Sequence, residues 1–240
     1  MIRNSIPNIF TLSNLFCGFL SIVFAANHDF NNAALLILIG MMLDSMDGRV
    51  ARMLRAQTEM GKELDSLADI VTFGVAPSIL VYYVSFSSYG MIGLWVAGLF
   101  PLFGAYRLAR FNISTKSSNE YFTGVPITAA GGILTLLSTL HMWIPGIVIN
   151  ASFMALCFLM VSTLKIPSFK TIPLPKYGTI ITVLLGCVIY LVSVSEYAEM
   201  PYFIYIAIPL YVAFIGYRIK RTQNHKKRNI TEKRNRNGKK

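Results

Sequence analysis

Charge is scarce in this chain and unevenly placed. Only 14% of its 240 residues are charged while 54% are hydrophobic, which excludes an ordinary soluble domain and indicates an integral membrane protein. Cysteine is nearly absent: Cys17, Cys157 and Cys187 all fall inside apolar runs, too far apart for a metal clamp or a disulfide framework. They read as small buried hydrophobes. The three histidines, His28, His141 and His225, are too scattered for a zinc site. No small-residue cleavage site accompanies the first apolar run, so it is expected to be a retained span rather than a leader.

What is present is a succession of apolar runs long enough to cross a hydrocarbon core. Eight are predicted, at 8–26, 33–55, 63–86, 90–109, 124–142, 146–164, 178–195 and 201–218. Short connections make antiparallel neighbours, so the expected fold is an all-α polytopic membrane bundle. It occupies 1–218, with 219–240 a basic, disordered cytoplasmic tail.

All 22 Lys and Arg residues fall at one set of alternating junctions. These are Arg3, then Arg49 to Lys62, Arg107 to Lys116, Lys165 to Lys176, and the tail from Arg218. The other junctions hold none, and carry Asp29, Glu196 and Glu199. That bias predicts an even number of spans with both termini cytoplasmic. The net charge of +11 comes largely from the tail, and a basic cluster directly after a span suits anionic headgroups better than nucleic acid. No nucleic-acid partner is expected.

Against this background four aspartates stand out. A carboxylate inside a membrane helix is costly and by default marks function. Asp44, Asp47, Gly48 and Ala51 share one face of the second predicted helix, and Gly61, Asp65 and Asp69 share one face of the third. The connection between the helices is short, so the faces can meet near the cytoplasmic interface. Four converging carboxylates repel one another unless cations lie among them, and hard oxygen ligands suit Mg2+ or Mn2+. Gly48, Ala51 and Gly61 remove bulk where a phosphate ligand could approach, and Arg52 can offer it a planar fork.

The pattern DxxDGxxAR-x8-GxxxDxxxD, intact from Asp44 to Asp69, resembles the signature of the CDP-alcohol phosphatidyltransferase family. Further stretches resemble the branch of that family whose acceptor is L-serine: IPNIFTLSNLFCG, DSLADIVTFGVAP, YRLARFN, FTGVPITAAGG and IPSFK. The resemblance implies transfer of a phosphatidyl group from CDP-diacylglycerol to the acceptor hydroxyl, with release of CMP. It assigns two divalent cations to Asp44, Asp47, Asp65 and Asp69, and makes Asp69 the general base. Gly48, Arg52, Thr58 and Gly61 would contact or make room for the CDP group, as would Asn8 and Thr11 of the first helix. Arg107 and Arg110, in YRLARFN, would meet the serine carboxylate or a lipid phosphate, with anchoring at the interface as the alternative. A homodimer in the cytoplasmic membrane, its site facing the cytoplasm, completes the expectation. Two alternatives stay open at this point: a different alcohol, such as glycerol 3-phosphate or an inositol phosphate, and a divalent-cation transporter.

Overall fold

The N-terminal half is organised around a helical hairpin. In the computed structural model, which describes residues 2–114, 122–162 and 165–166, α1 spans Ile2–Ala26 and α2 spans Phe30–Met53. The described residues all belong to one compact unit. His28 takes the left-handed conformation (φ 60°) and reverses the chain. Asp29 then caps α2, accepting hydrogen bonds from the backbone N–H of Asn32 at 3.2 Å and from its side-chain amide at 2.7 Å. Contacts across the hairpin follow antiparallel register: Ser21 donates to the Ala33 carbonyl near the turn, and Thr11 to Asp47 farther along.

Thr58 starts the next helical run, which reaches Tyr89 without being regular. It comprises α3 (Glu59–Asp69), a π-helical turn at Ile70–Val75, α4 (Ala76–Val81), a second π-helical turn at Tyr82–Phe86 and a final 3-10 turn. Pro77 helps to explain the first irregularity. It has no N–H to give the Phe73 carbonyl four residues back, and the Ala76 N–H bonds instead to Val71, five residues back.

Gly90, with φ 59°, then turns the chain into α5 (Gly90–Ser114), which packs back along this run. Pro101 inside α5 likewise releases the Ala97 carbonyl. Ser78 of α4 fills that vacancy with a hydroxyl at 2.5 Å. Thus a proline on one helix is answered by a serine on its neighbour, in a core with no water to answer it.

Two shorter helices, α6 (Ile127–Thr139) and α7 (Gly146–Val161), each follow a proline, Pro126 and Pro145. Phe73, Phe100, Phe153, Leu80, Ile127 and Leu134 are fully buried where these helices meet α4 and α5. The Phe153 ring lies 5.1 Å from Phe86 and 5.4 Å from Phe100, centroid to centroid. Both separations fall in the favourable range for aromatic pairs. A two-residue antiparallel pairing of β1 (Phe122–Thr123) with β2 (Lys165–Ile166) closes the described chain.

The all-helical expectation therefore holds, with that small β pairing added. Among the described residues two helical runs, Ile6–Ala26 and Glu59–Ile113, are long and apolar enough to cross a membrane. The second doubles back at Gly90, which separates the predicted spans 63–86 and 90–109. α6 is shorter than the predicted 124–142 run: its 13 residues rise only about 20 Å. Pro126 bounds it at one end and the turn beginning at Leu140 at the other. The predicted spans 178–195 and 201–218, and the tail, lie outside the described residues.

Gly131 brings α6 against the released Phe73 carbonyl; a Cβ there would stand 2.4 Å from that oxygen. Gly131→Ala should therefore lower the thermal unfolding midpoint in detergent, by the equivalent of about 1–3 kcal/mol of overpacking. Gly98→Ala, whose Cβ meets nothing within 4 Å, should leave it unchanged or slightly raised.

Candidate active site

The carboxylates are positioned in pairs, two on α2 and two on α3. Helical spacing puts Asp44 and Asp47 on the face of α2 that meets α1 and α3. Asp47 is fixed further by Thr11 of α1, whose hydroxyl donates to its Oδ2 at 2.8 Å. Asp65 and Asp69 lie one turn apart on α3. That helix begins where it does because Thr58 caps it, its Oγ1 accepting from the Gly61 N–H at 3.0 Å.

Carboxylate oxygens of Asp44, Asp47 and Asp65 converge to within 4.8 Å of one another. Asp69 lies beside Asp44 and interacts with it electrostatically. Asp47 and Asp69 are buried, 6% and 8% exposed, while Asp44 and Asp65 are half-buried.

The donor set fits a hard divalent cation. Oxygens on opposite sides of a Mg2+ ion stand about 4.2 Å apart, and carboxylates are its usual protein ligands. Asp65 Oδ1 and Asp69 Oδ1 are buried with no hydrogen-bond partner, so oxygen is available where an ion would need it. Such groups are costly in an apolar surrounding unless something charged or polar meets them.

Beside the cluster opens a cavity of about 180 Å³, walled by α1 (Asn8, Thr11), α2 (Asp47, Gly48, Ala51, Arg52) and the start of α3 (Thr58, Gly61, Asp65). The six residues expected at the nucleotide, Asn8, Thr11, Gly48, Arg52, Thr58 and Gly61, therefore line one space. Their parts differ. A Cβ on Gly48 would meet nothing within 4 Å, so its lack of a side chain leaves real room. A Cβ on Gly61 would lie 3.1 Å from Thr58 Oγ1 and 3.3 Å from Asn8 Oδ1, so that glycine also serves local packing. Gln57 and Lys62 join the lining. Nothing in the motif spacing marked them.

The two arginines expected to act as a pair separate. Arg107 is 7% exposed, interacts electrostatically with Asp69, and has an Nε without a hydrogen-bond partner. Arg110, one turn on, is committed elsewhere. Its guanidinium donates to the carbonyls of Val161 at 2.9 Å, Ser162 at 3.4 Å and Met160 at 3.5 Å, closing the C-terminus of α7. The Val125 N–H bonds to the Leu159 carbonyl at the same place. Sequence reasoning also missed Asn112, whose amide donates to Ser66 Oγ at 3.0 Å and ties α5 to α3 beside Asp65.

A family model described as CDP-alcohol phosphatidyltransferase matches residues 4–164. A CDP-diacylglycerol–serine O-phosphatidyltransferase of Helicobacter pylori (strain ATCC 700392 / 26695) is 42% identical over 176 residues, 69% of this chain and 73% of the relative. One of Bacillus subtilis (strain 168) is 42% identical over 167 residues, covering 70% of this chain and 92% of the relative. One of Saccharomyces cerevisiae (strain ATCC 204508 / S288c) is 38% identical over 143 residues, covering 53% and 51%.

The geometry makes Mn2+ binding a direct test of the cluster. Asp65→Asn should abolish measurable binding to the purified protein, read by electron paramagnetic resonance. Thr11→Val, which removes the hydroxyl orienting Asp47, should weaken it roughly 10- to 100-fold.

Proposed function

This chain belongs to the CDP-alcohol phosphatidyltransferase family, and from that premise we propose that it makes phosphatidylserine and CMP from CDP-diacylglycerol and L-serine. The observation that carries the reading is the convergence of Asp44, Asp47 and Asp65 beside a cavity lined by Gly48, Arg52 and Asn8. A cluster of acidic oxygens next to room for a nucleotide is what transfer from a diphosphate donor requires.

In the proposed reaction the serine hydroxyl oxygen forms a bond to the phosphorus that bears diacylglycerol, and the bond from that phosphorus to the CMP oxygen breaks. Asp69 receives the hydroxyl proton. Two Mg2+ or Mn2+ ions held by Asp44, Asp47, Asp65 and Asp69 would neutralise charge on the diphosphate and on departing CMP.

The remaining work falls to the protein itself. Thr11 holds Asp47 in place, Gly48 leaves the wall open, and Arg52 presents a planar cation to the CDP phosphates. Arg107, buried beside Asp69 with an uncommitted Nε, meets the serine carboxylate, so that the carboxylate and the hydroxyl of one small acceptor are held together. Arg110 supports this indirectly, by locking the end of α5 to α7.

The proposal includes eight spans with both termini cytoplasmic, a site facing the cytoplasm, residence in the cytoplasmic membrane and a homodimeric state. The basic junctions and the apolar helices support the membrane placement.

Purified protein given CDP-diacylglycerol and Mn2+ should incorporate radiolabelled serine into lipid while releasing CMP. If glycerol 3-phosphate or an inositol phosphate is incorporated in place of serine, the acceptor is wrong. If no alcohol releases CMP while metal crosses a vesicle wall, a transporter is indicated. Asp69→Asn should lower kcat by about 10²- to 10⁴-fold, the usual contribution of a positioned base, with CDP-diacylglycerol still bound. Arg107→Ala should raise the KM for serine roughly 10- to 100-fold, as expected for a charge-assisted bond, with little change for CDP-diacylglycerol. A rise confined to CDP-diacylglycerol would instead assign Arg107 to a lipid phosphate. Arg110→Ala should lower thermal stability before it alters either KM.

A further inference from the structure

The aspartates sit on α2 and α3, yet α1 is bonded both to α2 and to the π-helical turn that continues α3. Thr11 reaches Asp47, and one turn deeper the backbone carbonyl of Asn14 accepts a hydrogen bond from Thr72 Oγ1 at 2.9 Å. Thr72 lies three residues beyond Asp69, inside the π-helical turn Ile70–Val75, and is fully buried. Its two branches are each seated against a glycine. A Cβ on Gly18 of α1 would stand 2.5 Å from Thr72 Oγ1, and a Cβ on Gly40 of α2 would stand 2.7 Å from Thr72 Cγ2. One β-branched side chain thus occupies a socket made by two other helices, its hydroxyl on the α1 side and its methyl on the α2 side.

The socket matters because of what stands above it. Asp69 Oδ1 accepts no hydrogen bond, so the aim of that carboxylate depends on the backbone beneath and on the charges of Asp44 and Arg107 beside it. In a π-helical turn the backbone is wider than in an α-helix, and the angular relation of residues on its two sides differs from the α-helical one. Something must fix the rotation of that turn about its axis. Thr72 is the residue in it that bonds to another helix.

We propose that Thr72 is a positioning residue for Asp69: its bond to the Asn14 carbonyl fixes the rotation of the Ile70–Val75 turn and so aims the carboxylate at the acceptor hydroxyl. This rests on the reading of Asp69 as general base. It differs from the role of Thr11, which acts on the ion-binding triad.

The test compares Thr72→Val, which keeps the shape and removes the hydroxyl, with Thr72→Ser, which keeps the hydroxyl and removes the methyl. Thr72→Val should lower kcat about 30-fold, the scale of a sub-ångström misplacement, while both KM values stay within about twofold. Thr72→Ser should retain kcat within about threefold, because the bond that sets the aim survives. Should Thr72→Val not fold, Thr72→Ala removes the same hydroxyl without a clash and replaces it in the comparison. The proposal is overturned if the variant lacking the hydroxyl keeps wild-type kcat, if Thr72→Ser is equally impaired, or if both KM values rise in step with the fall in kcat. Asp69→Asn is assayed alongside. Activity in Asp69→Asn would remove the base reading and this proposal with it, whereas inactive Asp69→Asn with a fully active Thr72→Val would remove this proposal alone.

Discussion

Carboxylates crowded together inside an apolar bundle repel one another more strongly than they would in water, because little around them screens the charge. Everything near Asp44, Asp47, Asp65 and Asp69 bears on that repulsion. Thr11 donates to one oxygen of Asp47, Arg107 sets a positive charge facing Asp69, and Asp65 Oδ1 and Asp69 Oδ1 are left for a cation to meet. The same constraint explains why the carboxylates come from two helices held by a third. A single helix could present only a stripe, whereas α1, α2 and α3 surround a volume. The cavity lies where those helices leave room, at Gly48 and Ala51.

Beyond the cluster, the chain solves a second polar problem by pairing defects. Pro101 removes a donor from α5, and Ser78 of α4 supplies one. Arg110 answers three carbonyls at the end of α7. Thr135 and Thr139 return their hydroxyls to carbonyls of their own helix. In hydrocarbon an unmet backbone group costs several kcal/mol. Ser78 and Arg110 therefore act as fasteners between helices as well as satisfying individual atoms. The stretches YRLARFN and FTGVP come together through Arg110 and Val125 on the last turn of α7.

Much of the site was legible in the sequence because it depends on spacing. Positions 44, 47, 48 and 51, and 61, 65 and 69, follow from the period of a helix alone. The hairpin joining α1 to α2 was legible for a similar reason, since apolar runs separated by Asn27-His28-Asp29 leave the chain little choice. What was not legible depends on tertiary context. Arg107 and Arg110 are the same residue type one turn apart, and only the position of the α7 C-terminus distinguishes them. Thr58 and Gly61 fit a nucleotide contact by motif, but their bond to each other shows that they also start α3. The brevity of α6 was hidden because the residues past Thr139 are as apolar as those within the helix.

The wide turn at Ile70–Val75 has a consequence for how such a sequence can change. Deleting one residue there would allow the run to wind as an ordinary helix. Every residue before the deletion would then be turned by about 100° relative to every residue after it. Asp65 and Asp69 would leave the face they share with α2, or Phe73 and Leu80 would leave the core. The extra residue therefore reconciles two faces that a regular helix could not present at once, one polar toward the aspartates and one apolar toward α5 and α6. Local irregularity here is the condition under which a single run of chain serves both the chemistry and the packing.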